Sequence, residues 1–206
     1  MAEATRAAYP VTLTGNLDEP LSRWLFFFKW LLLVPHLVVL AFLWVAFAVL
    51  TIFAFFAILF TGRYPRGMFD FNVGVLRWTW RVSFYGYQAL GTDKYPPFSL
   101  KTRDYPANLE IEYPERLHRG LVLVKWWLLA IPHYLIVSLM VGGAGPRQGS
   151  GLVGILVLIS AVILLFTGKY HKDIFRLVMQ MNRWAMRVVG YAALMTDEYP
   201  PFRLDD

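Results

Sequence analysis

Two histidines, His36 and His133, stand inside long uncharged apolar runs, and each directly follows a proline. An ionisable side chain in such a run is a functional candidate by default. Neutral imidazoles on two facing helices could ligate a b-type haem. Either ring could equally hydrogen-bond a carbonyl that the proline leaves unpaired, or cap a helix at an interface. Large neighbours such as Trp30, Phe42, Trp126 and Tyr134 crowd the gap a porphyrin needs. The structural role is therefore the expectation, and haem b on His36 and His133 the alternative. His118 and His171 lack metal-ligand spacing, and the chain has 0 cysteines, so no metal site is expected.

A second set of residues repeats at helical spacing. Arg176, Gln180, Arg183 and Arg187 fall at i, i+4, i+7 and i+11, on one helix face, and Asp70, Arg77, Arg81 and Gln88 form a like stripe earlier. Trp78 and Trp184 lie beside them. Tryptophan favours the headgroup region, and the planar guanidinium grips phosphate oxygens in pairs. These residues predict that Arg77, Arg81, Arg183 and Arg187, with Trp78 and Trp184, touch anionic lipid or an acidic face of a partner subunit. A solvated face is the plain alternative. The sequence holds no Ser–His–Asp order with a nucleophile elbow, no phosphate loop and no glycine-rich dinucleotide fingerprint. No carboxylate lies in the apolar runs, which argues against a proton- or sodium-coupled carrier. Catalysis is not expected.

The elements that would position these residues are apolar. Hydrophobic residues make up 57% of the 206 and charged residues 17%, against ~45–50% and ~25% in soluble domains. No charge interrupts the 33 residues between Lys29 and Arg63, nor the 21 on either side of Arg147 up to Lys125 and Lys169. A membrane-crossing helix needs ~20 such residues. The pattern excludes a soluble enzyme and a nucleic-acid-binding module, despite a net charge of +6.

The chain is also duplicated. Tyr9-Pro10 recurs as Tyr105-Pro106, Lys29-Trp30 as Lys125-Trp126 and, one residue out of phase, Pro35-His36 as Pro132-His133. Phe-Thr-Gly-(Arg/Lys)-Tyr stands at 60–64 and 166–170, and Thr-Asp-x-Tyr-Pro-Pro-Phe at 92–98 and 196–202. Two tandem repeats, 1–104 and 105–206, follow. In the second, a Gly/Pro/Ser loop at 142–151 divides the apolar run into spans of about 119–141 and 151–167, a transmembrane hairpin. The first lacks that loop, so its run is either a tight hairpin or one long span. Shared topology favours the hairpin, with spans of about 22–43 and 45–61, and puts nineteen of the twenty Lys/Arg on one side. Amphipathic interfacial helices of about 67–90 and 173–195 follow the spans. Short alternating runs at 11–14, 98–101, 108–113 and 202–204 predict strands of a small cytoplasmic sheet, one pair per copy. The fold expected is thus mostly α and integral to the membrane, with four spans and both termini cytoplasmic.

The duplicated Phe-Thr-Gly-(Arg/Lys)-Tyr, Arg-Trp-x-x-Arg and Thr-Asp-x-Tyr-Pro-Pro-Phe motifs resemble the bacterial domain-of-unknown-function 4389 family, whose members are small integral membrane proteins. The resemblance covers nearly the whole chain and implies a bacterial inner-membrane location. It brings no catalytic residues with it. The function expected is a non-catalytic accessory or scaffold subunit of a larger inner-membrane complex. Its partners would be anionic lipids and other membrane subunits, with a haem-b electron-transfer protein as the alternative.

Overall fold

A computed structural model describes residues 9–142 and 151–204. In chain order it contains β1 (Val11–Gly15), α1 (Phe26–Thr61), α2 (Arg66–Tyr85) and β2 (Ala107–Ile111), then a 3-10 turn (Leu121–Leu123) and a π-turn (Lys125–Leu129). The helices α3 (Ile131–Val141), α4 (Leu152–Thr167) and α5 (Lys172–Ala192) complete it.

The first apolar run does not turn back on itself. α1 is one helix of 36 residues, where a hairpin with spans of 22–43 and 45–61 was expected. No turn-forming residue stands between Trp44 and Thr51, and leucine, valine and phenylalanine there continue a helix without a break. Lys29, Leu33, His36, Leu40, Phe47, Ala54 and Ile58 are its buried residues, all near one face. That face lies along α2, which returns antiparallel after a left-handed Gly62 (φ 72°), whose N–H caps Ile58 O at 2.7 Å. Along the seam, Asn72 Nδ2 donates to Thr51 Oγ1 at 3.2 Å and Trp44 Nε1 to Thr79 Oγ1 at 3.2 Å.

The second copy repeats this course in pieces. Lys125 and His133 lie beside Tyr191 and Trp184 toward the C-terminus of α5, while α4 ends at Gly168 just before α5 begins. α3 and α4 therefore follow one another along α5, as α1 follows α2. The chain leaves at Gly142 and re-enters at Gly151, so close that a Cβ on Gly151 would stand 2.3 Å from Gly142 N. Most of the Gly/Pro/Ser loop, 143–150, lies outside the described residues. The hairpin expected for 119–141 and 151–167 is thus replaced by two half-helices laid end to end. With one helix in the first copy, the four-span arrangement falls. Among the described residues only α1 is long and apolar enough to cross a membrane.

The one-residue phase slip has a structural cause. From Lys29 to His36 is seven residues, about 700° of helix, nearly two turns. From Lys125 to His133 is eight, about 80° beyond two turns in a regular helix. The π-turn takes up the difference, with Leu129 N–H reaching Val124 O at 3.2 Å, five residues back. Lysine and histidine so keep one face in both copies.

The sheet also departs from expectation. Residues 98–101 and 202–204 form no strand; each copy supplies one strand, and the two pair with each other. β1 and β2 run antiparallel with Leu13 opposite Leu109, Val11 opposite Ile111 and Gly15 opposite Ala107. Leu13 and Leu109 are repeat equivalents, so the pseudo-twofold axis passes through that pair. Each strand lies on the other copy's helix, β2 on α2 and β1 on α5. α2 and α5 thus form a middle layer between the sheet and the outer helices α1, α3 and α4. They were expected to lie at the interface over 67–90 and 173–195. Instead most of their residues are buried, including Trp80, Phe84, Val178 and Tyr191.

Candidate functional site

Each copy holds one buried lysine and one buried histidine, clamped by its own Thr-Asp-x-Tyr-Pro-Pro-Phe segment. Lys29, 0% exposed, pairs with Asp93 at 3.0 Å, donates to Thr92 O at 2.7 Å and lies over the Tyr85 ring at 4.5 Å. Lys125 does the same with Asp197 at 2.7 Å, Thr196 O at 3.0 Å and Tyr191 at 5.6 Å. The second carboxylate oxygen of each aspartate accepts a backbone N–H across the clamp, from Ser22 at 2.5 Å or His118 at 2.6 Å. An aspartate with one oxygen on a lysine and the other on a backbone N–H has both oxygens engaged, which disfavours acid–base work.

Nearly two turns farther along, His36 is walled by Trp78, Tyr95 and Phe98. Phe98 stacks on the imidazole at 3.9 Å between centroids, and Trp78 Nε1 donates to His36 Nδ1 at 3.1 Å. His133 has the matching walls, Trp184, Tyr199 and Phe202, with Phe202 stacked at 4.4 Å. Tyr95 and Tyr199 fasten the clamp by donating to Leu32 O at 3.0 Å and Leu129 O at 3.2 Å. The paired prolines hold the segment extended, so that tyrosine and phenylalanine reach the imidazole from two adjacent directions. His36 and His133 thus occupy separate cages in their own copies, and among the described residues no ring contacts both. The sequence contained a signal for the cages: histidine and Tyr-Pro-Pro-Phe recur together.

Leu90 and Leu194 precede the two clamps at equivalent places, and both adopt left-handed backbone, φ 52° and 65°. A leucine there costs on the order of 1 kcal/mol or more. Each is nearly fully buried in the main core, which holds it in place.

The arginine stripe is used inside the protein. Arg77 donates to Leu109 O at 2.9 Å and Leu100 O at 3.1 Å, Arg81 to Lys101 O at 2.7 Å, and Arg183 to Leu13 O at 3.1 Å. Arg187 is buried beneath the Tyr9 ring at 5.7 Å. Burial, with Arg77 alongside, pulls the Arg81 guanidinium down to about 10. Trp78 and Trp184 are 6% and 5% exposed. Of the six residues expected at lipid or a partner, Trp78, Arg81, Trp184 and Arg187 are buried, while Arg77 and Arg183 are half-buried and tie α2 and α5 to the opposite copy's strand. Tyr9 and Tyr105 add to this exchange, donating across to Glu198 O and Lys94 O, each at 2.9 Å.

Four further cations stand at the ends of the outer helices. Arg23 reaches Gly168, and Arg119 reaches Gly62, the glycines that end α4 and α1. Arg63 and Lys169 follow those glycines and are exposed. Among the described residues no three His, Cys, Asp or Glu side chains gather as a metal site would require.

No curated protein and no solved structure matches the chain. Residues 23–99 and 147–203 match the domain of unknown function DUF4389, so the unit occurs twice. The first match takes in Lys29, His36 and their clamp, the second takes in α4, α5 and the clamp at 196–202, and with these two matches the chain belongs to the DUF4389 family.

Proposed function

We propose that the protein is a non-catalytic module of the bacterial inner membrane, an accessory or scaffold subunit whose outer helices meet lipid. The sheet side, to which Arg77 and Arg183 donate, faces the cytoplasm together with both termini. One observation supports this above the others. The outer helices leave large apolar side chains uncovered along their full length, among them Phe42, Phe60, Leu139 and Phe166, each more than 70% exposed. A soluble monomer's largest apolar patch is ~300–600 Å². α1 alone is about 54 Å long at 1.5 Å per residue.

Both conspicuous polar clusters are spent on structure, the lysine on its aspartate and the histidine in its cage, which favours scaffold over catalyst. Alkaline carbonate washing of membranes from expressing cells tests the reading. The protein is expected to stay with the membrane pellet; release into the supernatant would refute it. The haem reading has one feature in its favour: His36 Nε2 and both His133 nitrogens make no hydrogen bond among the described residues. Against it, each ring already carries a stacked phenylalanine. A visible spectrum of the purified protein with a Soret band would replace the scaffold reading with electron transfer.

A further inference from the structure

We infer that α1, α3 and α4 lie flat in one leaflet, and that the protein enters the bilayer from one side without crossing it. This rests on the membrane reading above. Helix length and composition alone would let α1 cross. Its packing points the other way. α1 is tied to the layer beneath it at the start, middle and end. Tyr87 donates to Phe26 O at 2.6 Å, Asn72 binds Thr51, and Leu117 N–H bonds Gly62 O at 2.9 Å. A crossing α1 would carry α2 and the strand bound to it into the hydrocarbon, with Arg77 at mid-helix and the exposed Glu110 on β2. Charged side chains there are strongly disfavoured.

Lying flat removes the conflict. The uncovered residues of α1, including Phe28, Val38, Val45, Phe53 and Phe60, line the side away from α2. Those of the second copy, including Leu135 and Leu158, face outward from α5 in the same layer. Within α1, α3 and α4 the backbone bonds along each helix, as hydrocarbon requires. Around this face the chemistry changes to that of an interface. Trp24, Trp30 and Trp126 are exposed, and Arg23, Arg63, Arg119 and Lys169 mark its two ends. An apolar face with an aromatic and cationic border fits anionic phospholipid.

The absence of cysteine gives a clean test. Single cysteines at Phe28, Val38, Val45, Phe53, Phe60 and Leu158 in the full chain carry a fluorophore. The protein is reconstituted in phosphatidylethanolamine–phosphatidylglycerol vesicles with bromine at two acyl depths. We expect the five α1 positions to report one shallow depth, agreeing within about 5 Å, and Leu158 to match them. A crossing helix would instead show depth rising to a maximum near Val45 and falling again, a change of about 15 Å for half of a ~30 Å core; that outcome overturns the inference and leaves the membrane reading intact. Failure of the unlabelled protein to float with vesicles, or no quenching at any position, would overturn both, as when two copies cover each other's apolar faces.

Discussion

Removing Trp127 should be nearly free, although it shortens a helix by one residue. By the repeat, Lys125-Trp126-Trp127-Leu128-Leu129-Ala130-Ile131-Pro132-His133 is the first copy's Lys29 to His36 with one residue added. Its deletion restores seven residues between lysine and histidine and lets the π-turn close as α-helix. The loss is the bond from Trp127 Nε1 to Leu123 O, made by a side chain 47% exposed. A change within ~1 kcal/mol is expected, about 2–4 °C in melting temperature for a chain this long. Removing Leu31 from α1, which is 55% exposed, is the matched control. It leaves six residues between Lys29 and His36, about 120° short of two turns. Either the lysine or the histidine must then leave its clamp. Withdrawing His36 strands the buried Trp78 indole N–H, at ~1–3 kcal/mol, and forfeits the Phe98 stack, ~0.5–1.5 kcal/mol. Their sum, about 2–4 kcal/mol, predicts a drop of roughly 5–15 °C. Tryptophan fluorescence melts of the detergent-purified variants read both. If the Trp127 deletion melts as low as the Leu31 deletion, the π-turn does not absorb the extra residue, and the account of the phase slip is wrong.

Three further outcomes follow from the same contacts. Residues 1–103 and 104–206 expressed separately should each be degraded, because β1 and β2 each rest on the other copy's helix; co-expression should recover a complex, and a stable single half would defeat the exchange. Arg77→Met removes the donors to Leu109 O and Leu100 O and should cost ~1–3 kcal/mol, while the exposed Arg103→Met should stay within ~0.5 kcal/mol; equal melting temperatures would show that the buried bonds carry no weight. Burial pushes the Tyr85, Tyr170 and Tyr191 phenols up to about 12. Their folded values lie above the unfolded one, so the stability they lend is complete below pH ~10 and drains away as pH rises toward 12. Absorbance at 295 nm should show these three tyrosines ionising after the exposed ones, and a single transition near pH 10 would contradict their burial.

What could be read from the sequence divides along a physical line. The duplication was plain because motifs such as Thr-Asp-x-Tyr-Pro-Pro-Phe are rich in rare residues. The start and end of α2 and α5 were nearly placed by their 3.6-residue pattern, though Leu90 and Leu194 show that the chain has left the helix before the pattern fades. The layout of the apolar run was not legible, since a uniform apolar composition suits a crossing helix, a hairpin or a helix laid on a surface. The arginine stripe shows a related limit: spacing locates a helix face but not what covers it, and at Arg77 and Arg183 a strand from the other repeat lies against that face. The lysine clamp was missed altogether. Lys29 marks the boundary of the apolar run and Asp93 lies far along the chain in a repeated motif, and only the fold joins them.

The strand exchange has a consequence in time. β1 is complete at Gly15, but its partner ends at Ile111, 96 residues later. At a synthesis rate of ~5–20 residues per second, the first strand waits on the order of 5–20 s for the second. Through that interval α2 has no strand to cover Arg77, and the apolar underside of the first repeat stands open beside the ribosome. Newborn chains should accordingly lean on a holding chaperone or on the insertion machinery until the second repeat emerges. A stop codon after the first repeat would leave that dependence permanent, turning a passing stage of synthesis into a target for proteolysis.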